Sequence, residues 1–242
     1  MADRSEEQKH AAGDNKNFPA STAQMDSLAT KIQNLDLSNA KQSDFDTFQQ
    51  VAMNIDGFDK EMVDVIAGNL FNFVSKNWLL AENASHLCKA LCSSDSQFSD
   101  DFRAIFLTKL QAGYMARAEQ RNTDIGLGYA AILCQFYANV FLKDGSRIST
   151  LIQPILDTLH MLTDWNATDQ EILVASRQLM AIGPLLENER RLSDIFRTIE
   201  NRVIDATGSE DARRKLLSVV KAKSSNWQLR EEILKKWEPG HL

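Results

Sequence analysis

Few residues in this chain have the types and spacing that chemistry needs. Cys88 and Cys92 follow His86 closely, and a four-residue spacing sets both thiols on one helical face, as zinc ligands can be set. A structural zinc site usually takes four ligands, and Cys134 is the single cysteine left; all three are therefore read as core residues. His10 and His241 fall in the terminal segments, and His160 follows Leu159 on a helix, where it reads as a surface or dipole partner rather than a base. Gly126-Leu127-Gly128 lacks the third glycine, the preceding strand and the lysine of a phosphate-binding loop, so it reads as a place where helices approach closely. No set of titratable groups divides the labour of catalysis. The expectation is a non-enzyme with no catalytic residue, no cofactor and no metal ion.

Charge narrows the class further. The 242 residues carry a net charge of −6, which argues against a surface that embraces nucleic acid as a whole, because such binding neutralises phosphates with Lys and Arg. From Glu187 onward there are 12 Lys and Arg against 10 Asp and Glu, which leaves 15 against 23 for the preceding residues. Arg190, Arg191, Arg213, Arg214, Lys215, Lys221 and Lys223 fall on consecutive helices and are the candidates for an RNA-facing or acidic-partner patch. Glu187, Glu189, Glu210 and Asp211 are interleaved with them, and an ion-paired, solvated face is the competing reading. Phe102, Phe106, Tyr114 and Phe136 fall on apolar stripes and do not form a stacking platform for bases. Trp237 either closes the last helix pair or stands as an exposed anchor.

The odd number of cysteines, all inside apolar stretches, does not suggest a disulfide framework and points to a reducing compartment. Met1 to His10 contains no apolar leader region, and no segment approaches the roughly 18 apolar residues of a membrane span. A soluble, intracellular chain is expected.

From Asp44 onward apolar residues recur with helical period, and no sustained alternation marks a strand. The spacing predicts helices over 44–54, 59–76, 80–93, 100–118, 124–143, 147–163, 169–186, 188–206, 210–223 and 227–236. Gly145-Ser146 and Gly208-Ser209 each read as a helix C-cap followed by an N-cap. Thr168 with Glu171 reads as a capping box, and Asp59 and Ser99 are further N-cap candidates. Pro154 lies near the first turns of its helix, where a missing N–H costs least. Grouped in twos, the helices recur every 36 to 45 residues, close to the HEAT-type period of about 40 to 47. The fold expected is all-α, five antiparallel helix pairs stacked as a HEAT-type solenoid, occupying residues 43–238. Residues 1–42 are polar with scattered apolar positions and read as a disordered arm, with 239–242 a short tail. Within the arm, Met25, Leu28, Ile32 and Leu35 have near-helical spacing and could form a helix against a partner or the domain's own flank.

The run Phe102-Arg-Ala-Ile-Phe-Leu-Thr-Lys-Leu-Gln-Ala-Gly-Tyr-Met-Ala-Arg117 resembles the second-repeat helix of proteins built on the middle domain of translation initiation factor 4G. Gly128 to Phe141, Leu151 to Leu159, Ala181 to Glu187 and Arg191 to Phe196 resemble later helices of that family in the same order. The resemblance covers about residues 44 to 228 and is nearest the single-domain type that interacts with the histone stem-loop-binding protein. It implies five HEAT-type pairs, a count the periodicity reaches independently.

The resemblance also implies adaptor work. Such a protein links an mRNA-bound protein, the stem-loop-binding protein or one similar, to translation initiation factors or an RNA helicase, and promotes translation of the mRNA. It implies a cytoplasmic location, with the nucleus open as a second one; RNA and a second copy of the chain remain open as further partners, and no membrane is expected. Asn15 to Ala20 departs from the peptide motif that poly(A)-interacting relatives carry ahead of the domain, since it lacks the Leu, the Asn and the spacer between Phe18 and Pro19. Within the matched run, Arg103, Gln111 and Arg117 are the polar members and the partner-binding candidates, while Leu107, Leu110 and Tyr114 are expected in the core.

Overall fold

The computed structural model describes residues 18–55 and 59–237, with side chains from residue 26. In this span lie α1 (Phe18–Gln33), α2 (Gln42–Met53), α3 (Lys60–Lys76), α4 (Ala81–Cys92), α5 (Gln97–Ala116), α6 (Asp124–Asn139), α7 (Ile152–Thr163), α8 (Asp169–Ile182), α9 (Arg190–Ile204), α10 (Glu210–Ser224) and α11 (Arg230–Trp237). Short 3₁₀ turns precede α4 and α7 and follow α8. No strand occurs among the described residues; Phe141 and Arg147 form an isolated bridge.

Local hydrogen bonds set most helix starts. The Asp59 side chain accepts from the amide of Glu61, Thr123 from Gly126, Ser209 from Ala212, and Thr168 and Glu171 close the expected capping box. Each satisfies a backbone donor that the first turn would otherwise leave without a partner. Two cap expectations are corrected. Helix α5 starts earlier, with Ser96 as its cap and Ser99 as the residue whose amide donates to it at 3.2 Å. Helix α6 stops at Asn139, and Gly145, at φ 78°, belongs to a tight turn in which its amide donates to Leu142 O at 2.9 Å. Val140, still buried, takes up extended backbone there and ends the helix, and Leu142 beyond it is exposed. Gly208-Ser209 behaves as expected, with φ 85° at the glycine and Ser209 capping α10.

The even helices α2, α4, α6, α8 and α10 pack each against the next in one layer. In the other layer α3 lies between α1 and α5, and α9 lies against α7. This is the stacking of antiparallel pairs expected from the period, in which neither member of a pair could bury its stripe alone. Of the five expected pairs, α4 with α5, α6 with α7 and α10 with α11 pack directly on each other, whereas α2 rests mainly on α4, and α9 on α7 and α10. At the centre, α6 packs on α3, α4 and α8, and every residue from Leu127 to Tyr137 is buried. A helix apolar on all sides requires such a position. Gly128 is the condition for it, since a Cβ there would lie 2.6 Å from the carbonyl oxygen of Val74 on α3. A file of phenylalanines runs through the same region: Phe106 stands 4.8 Å, centroid to centroid, from both Phe71 and Phe136.

The expectation of a disordered arm to residue 42 is corrected for residues 18–42. Leu28 and Ile32 of α1 are fully buried against the core, α1 packs on α3, and Leu37 is buried behind it. These residues are too few to support a fold of their own, but the flank of α3 offers a preformed apolar surface. Burial contributes about 1.5–3 kcal/mol for each large aliphatic side chain, which adds to the hydrogen bonds that α1 makes within itself. Residues 1–17 and the tail 239–242 lie outside the described residues.

The connections sort onto two edges of the stack. Loops running from an odd helix to the next even one meet along the first: Asn83 donates to Leu37 O at 2.6 Å, Gly128 abuts Val74, Arg121 reaches Asp164, and the Ser209 amide donates to Asp169 Oδ1 at 3.2 Å. Loops running from even to odd meet along the second, where Ser96 donates to Ala52 O at 3.3 Å and Lys143 to Asp100 at 2.8 Å.

Candidate interaction surfaces

The three polar residues of the α5 run have different fates. Arg103 is turned inward: its guanidinium donates to Cys92 O at 2.7 Å, closing the end of α4, and to Asp100 at 3.0 Å, and the residue is only 9% exposed. Periodicity marked it as a polar residue beside a stripe and could not show that the carbonyl end of the preceding helix lies within reach. Gln111 is exposed. Arg117 lies half-buried with its guanidinium carbon 3.8 Å from the centroid of the Tyr114 ring, and donates to Tyr114 O at 2.6 Å. Of the expected core residues, Leu110 is buried, while Leu107 and Tyr114 are half-buried.

Tyr114 begins a chain of polar contacts across repeats. Its hydroxyl donates to Asp157 Oδ2 on α7 at 2.6 Å, and Arg191 on α9 pairs with the other oxygen of that carboxylate at 2.6 Å. Burial raises the pKa of Asp157, but the hydrogen bonds from Tyr114 and Arg191 outweigh it and hold the carboxyl below its ordinary range. The same bond to Asp157 raises the pKa of the Tyr114 phenol.

A second polar cluster, absent from the sequence expectations, sits where three loops of the first edge meet. Arg121 donates to both oxygens of Asp164 at 2.8 Å, to Glu171 at 2.8 Å and to Met161 O at 3.0 Å. Glu171 is fully buried, and the amide of Asn122, in the orientation its neighbours satisfy, donates to it at 2.7 Å. Arg202, 2% exposed, donates to the carbonyl oxygens of Asp164 and Ala167. The hydrogen bonds from Arg121 hold Asp164 below the usual carboxylate range. Burial pulls the Arg202 guanidinium down from its ordinary value. Buried charges persist when paired and hydrogen-bonded; Arg121 with Asp164 and Glu171 meets both conditions, while Arg202 is held by carbonyl oxygens alone and keeps an unpartnered Nε.

The expected basic patch is divided among local partners. Arg191 is taken up by Asp157, and Arg214 pairs with Glu210 one turn earlier on α10. Lys215 lies over the ring of Trp237 at 4.5 Å and Lys223 over Phe196 at 4.1 Å. Arg190, Arg214 and Lys221 are exposed and Arg213 is half-buried. Residues 213 to 215 and residue 223 sit at opposite ends of α10, about 15 Å apart at the rise of a helix. Trp237 closes the last pair, half-buried against the core. Trp227 is a further closing residue: it covers Gly183, where a Cβ would meet its ring at 2.1 Å, and its indole N–H donates to Glu187 at 2.6 Å.

A groove of about 630 Å³ lies between the ends of α3 and α5 and the start of α6, walled by Phe71, Ala112, Gly113, Ala116, Ile125 and Tyr129, with Lys76, Lys109 and Asp124 at its rim. The three cysteines are free and buried, and burial raises their thiol pKa values, that of Cys92 to about 12. Among the described residues no group of three or more His, Cys, Asp and Glu side chains is placed to hold a metal ion. No described helix is long and apolar enough to cross a membrane.

No family model matches the chain. Among curated proteins it is similar to polyadenylate-binding protein-interacting protein 1 of Xenopus laevis, at 26% identity over 144 residues that cover 53% of this chain. The match spans 31% of that relative, so the chain corresponds to about a third of its length. This protein is a stack of paired helices that resembles, over about half its own length, a protein named for its interaction with polyadenylate-binding protein.

Proposed function

We propose that this chain is a non-enzymatic adaptor that links mRNA-bound proteins, of the stem-loop-binding-protein type, to translation initiation factors or an RNA helicase and so promotes translation of the mRNA. The observation that carries the reading is the layered stack of helices in a chain similar to a polyadenylate-binding protein-interacting protein. Physically, a row of rigid pairs offers a long surface for peptide segments and needs no catalytic pocket. The polar contacts between repeats, from Tyr114 to Asp157 and from Arg121 to Asp164, hold successive pairs in register, as a scaffold with spaced contact points requires. The reading implies a cytoplasmic location, with the nucleus as a second one, and a homodimer as a further partner state.

Affinity purification of the full chain from cell extract, with and without ribonuclease, tests this reading. Recovery of an initiation factor, an RNA helicase or the stem-loop-binding protein after ribonuclease treatment is the expected result. Loss of all of them on treatment, or recovery of none, overturns it.

A further inference from the structure

The large apolar side chains left in solvent are unevenly placed. Leu79, Met115, Ile125, Trp165 and Ile204 all lie on the first edge, in or beside the loops that run from odd to even helices, and are 49%, 73%, 53%, 52% and 77% exposed. The second edge has Met53, Leu142 and Leu185, none above 45%, and Val65 and Leu217 stand singly within α3 and α10. The first-edge residues recur once per repeat, with Met115 and Ile125 flanking a single loop. Adjacent packed helices stand roughly 8–10 Å apart, so the row from Leu79 to Ile204 extends over about 30 Å. The cross-repeat contacts of Arg121, Asp164, Arg202 and Ser209 lie directly beneath it and fix its loops relative to one another.

The same edge is acidic. Glu82, Glu119, Asp124, Asp169, Asp205 and Asp211 are exposed there, and none forms an ion pair among the described residues. Of the nearby cations, Arg121 is neutralised by Asp164 and Glu171, Arg117 is stacked on Tyr114, and exposed Lys76 beside Asp124 and half-buried Arg213 beside Asp211 leave the six carboxylates in excess. Side chains that protrude in a row suit an extended segment better than a helix, which seeks a groove. An extended segment of polyproline-II form rises about 3.1 Å per residue with three residues per turn, so it spans one repeat in roughly three residues and returns every third side chain to the same face.

We propose that this edge is the docking surface for an extended partner segment that carries Lys or Arg and has an apolar side chain at about every third position. The apolar contacts supply affinity and the carboxylates select basic over acidic segments. The inference stands independently of the translation reading.

Binding of labelled peptides of about 12 residues to the full chain, followed by fluorescence anisotropy, tests it. One peptide has Leu at every third position with Lys between, and two controls replace Lys by Gln or by Glu. The Lys peptide should bind about tenfold more tightly than the Gln peptide, and the difference should shrink in high salt. The combined Met115→Ser, Trp165→Ser and Ile204→Ser substitution, all at exposed positions, should weaken the Lys peptide about tenfold at unchanged helical content. The combined Leu142→Ser and Leu185→Ser substitution on the second edge should leave binding unchanged. Equal binding of Lys and Glu peptides, or unchanged binding by the first-edge variant, overturns the proposal. So does a dimer, seen by sedimentation, that the first-edge variant disperses, because the row would then serve self-association.

Discussion

The molecule uses arginine in two contrasting regions. At the junction of three loops, Arg121 and Arg202 are drawn into the fold, where carboxylates about one repeat away hold Arg121 and carbonyl oxygens hold Arg202. Along α9 and α10, Arg214 pairs within its own helix in water, and Lys215 and Lys223 lie over aromatic rings. The difference lies in what each charge would lose. A buried guanidinium or carboxylate deprived of its partner keeps its full desolvation cost, whereas an exposed one regains water. The junction therefore fixes geometry between repeats, and the α9–α10 face mainly adjusts solubility and long-range attraction.

The largest effect should come from Arg121→Ala, which strands Glu171 and Asp164 and is expected to cost about 3 kcal/mol in a urea titration. A loss below about 1 kcal/mol would place the cluster energetically with surface pairs and erase the contrast. The pH dependence of the same variant sharpens it. The folded-state pKa of Asp164 is depressed by Arg121, so its contribution is present above the unfolded value near 3.9 and is lost as pH falls through the folded one. The stability gap between wild type and Arg121→Ala should be full at neutral pH and narrow below about pH 4; a gap that widens in acid would refute the assignment. An intermediate case is Arg191→Ala, which removes an exposed cation from the half-buried Asp157; thermal unfolding should show a loss of about 1 kcal/mol. Least of all should follow from Arg214→Ala, within about 0.5 kcal/mol, because both partners of that pair are exposed. Combined replacement of Arg213, Arg214 and Lys215 by Ala gives the functional counterpart. If this face binds RNA, the salt dependence of that binding should flatten, and an unchanged salt slope removes the patch from consideration.

Part of the junction is legible in the sequence. Arg202 lies three residues after Ile199 on the stripe that includes Leu192, Ile195 and Phe196, a charge in phase with a buried face that the sequence expectations did not single out. That signal called for a partner. Arg121 gave none, because it sits between helices, where periodicity has no meaning, and its acceptor is 43 residues away. Arg103 was legible as polar but not as inward-facing, since the carbonyl it meets ends the preceding helix. The exposed row from Leu79 to Ile204 was likewise invisible, because a lone apolar residue in a loop carries no pattern until the stack sets the loops side by side. Helix α1 lies between these cases: the spacing of Leu28, Ile32 and Leu35 suggested a helix, and only the flank of α3 made it one.

By itself the sequence determined the helical class, the approximate positions of α2 to α11 and the caps at Asp59, Thr168 and Ser209. These depend on interactions within a few residues, namely the 3.6-residue period and side chains that bond amides two or three positions on. The tertiary structure alone decided that α1 joins the stack, which arginines are buried, and that one edge gathers the exposed apolar and acidic residues. Each of those outcomes depends on groups about 40 residues apart meeting in space, which only the packing of one pair on the next brings about.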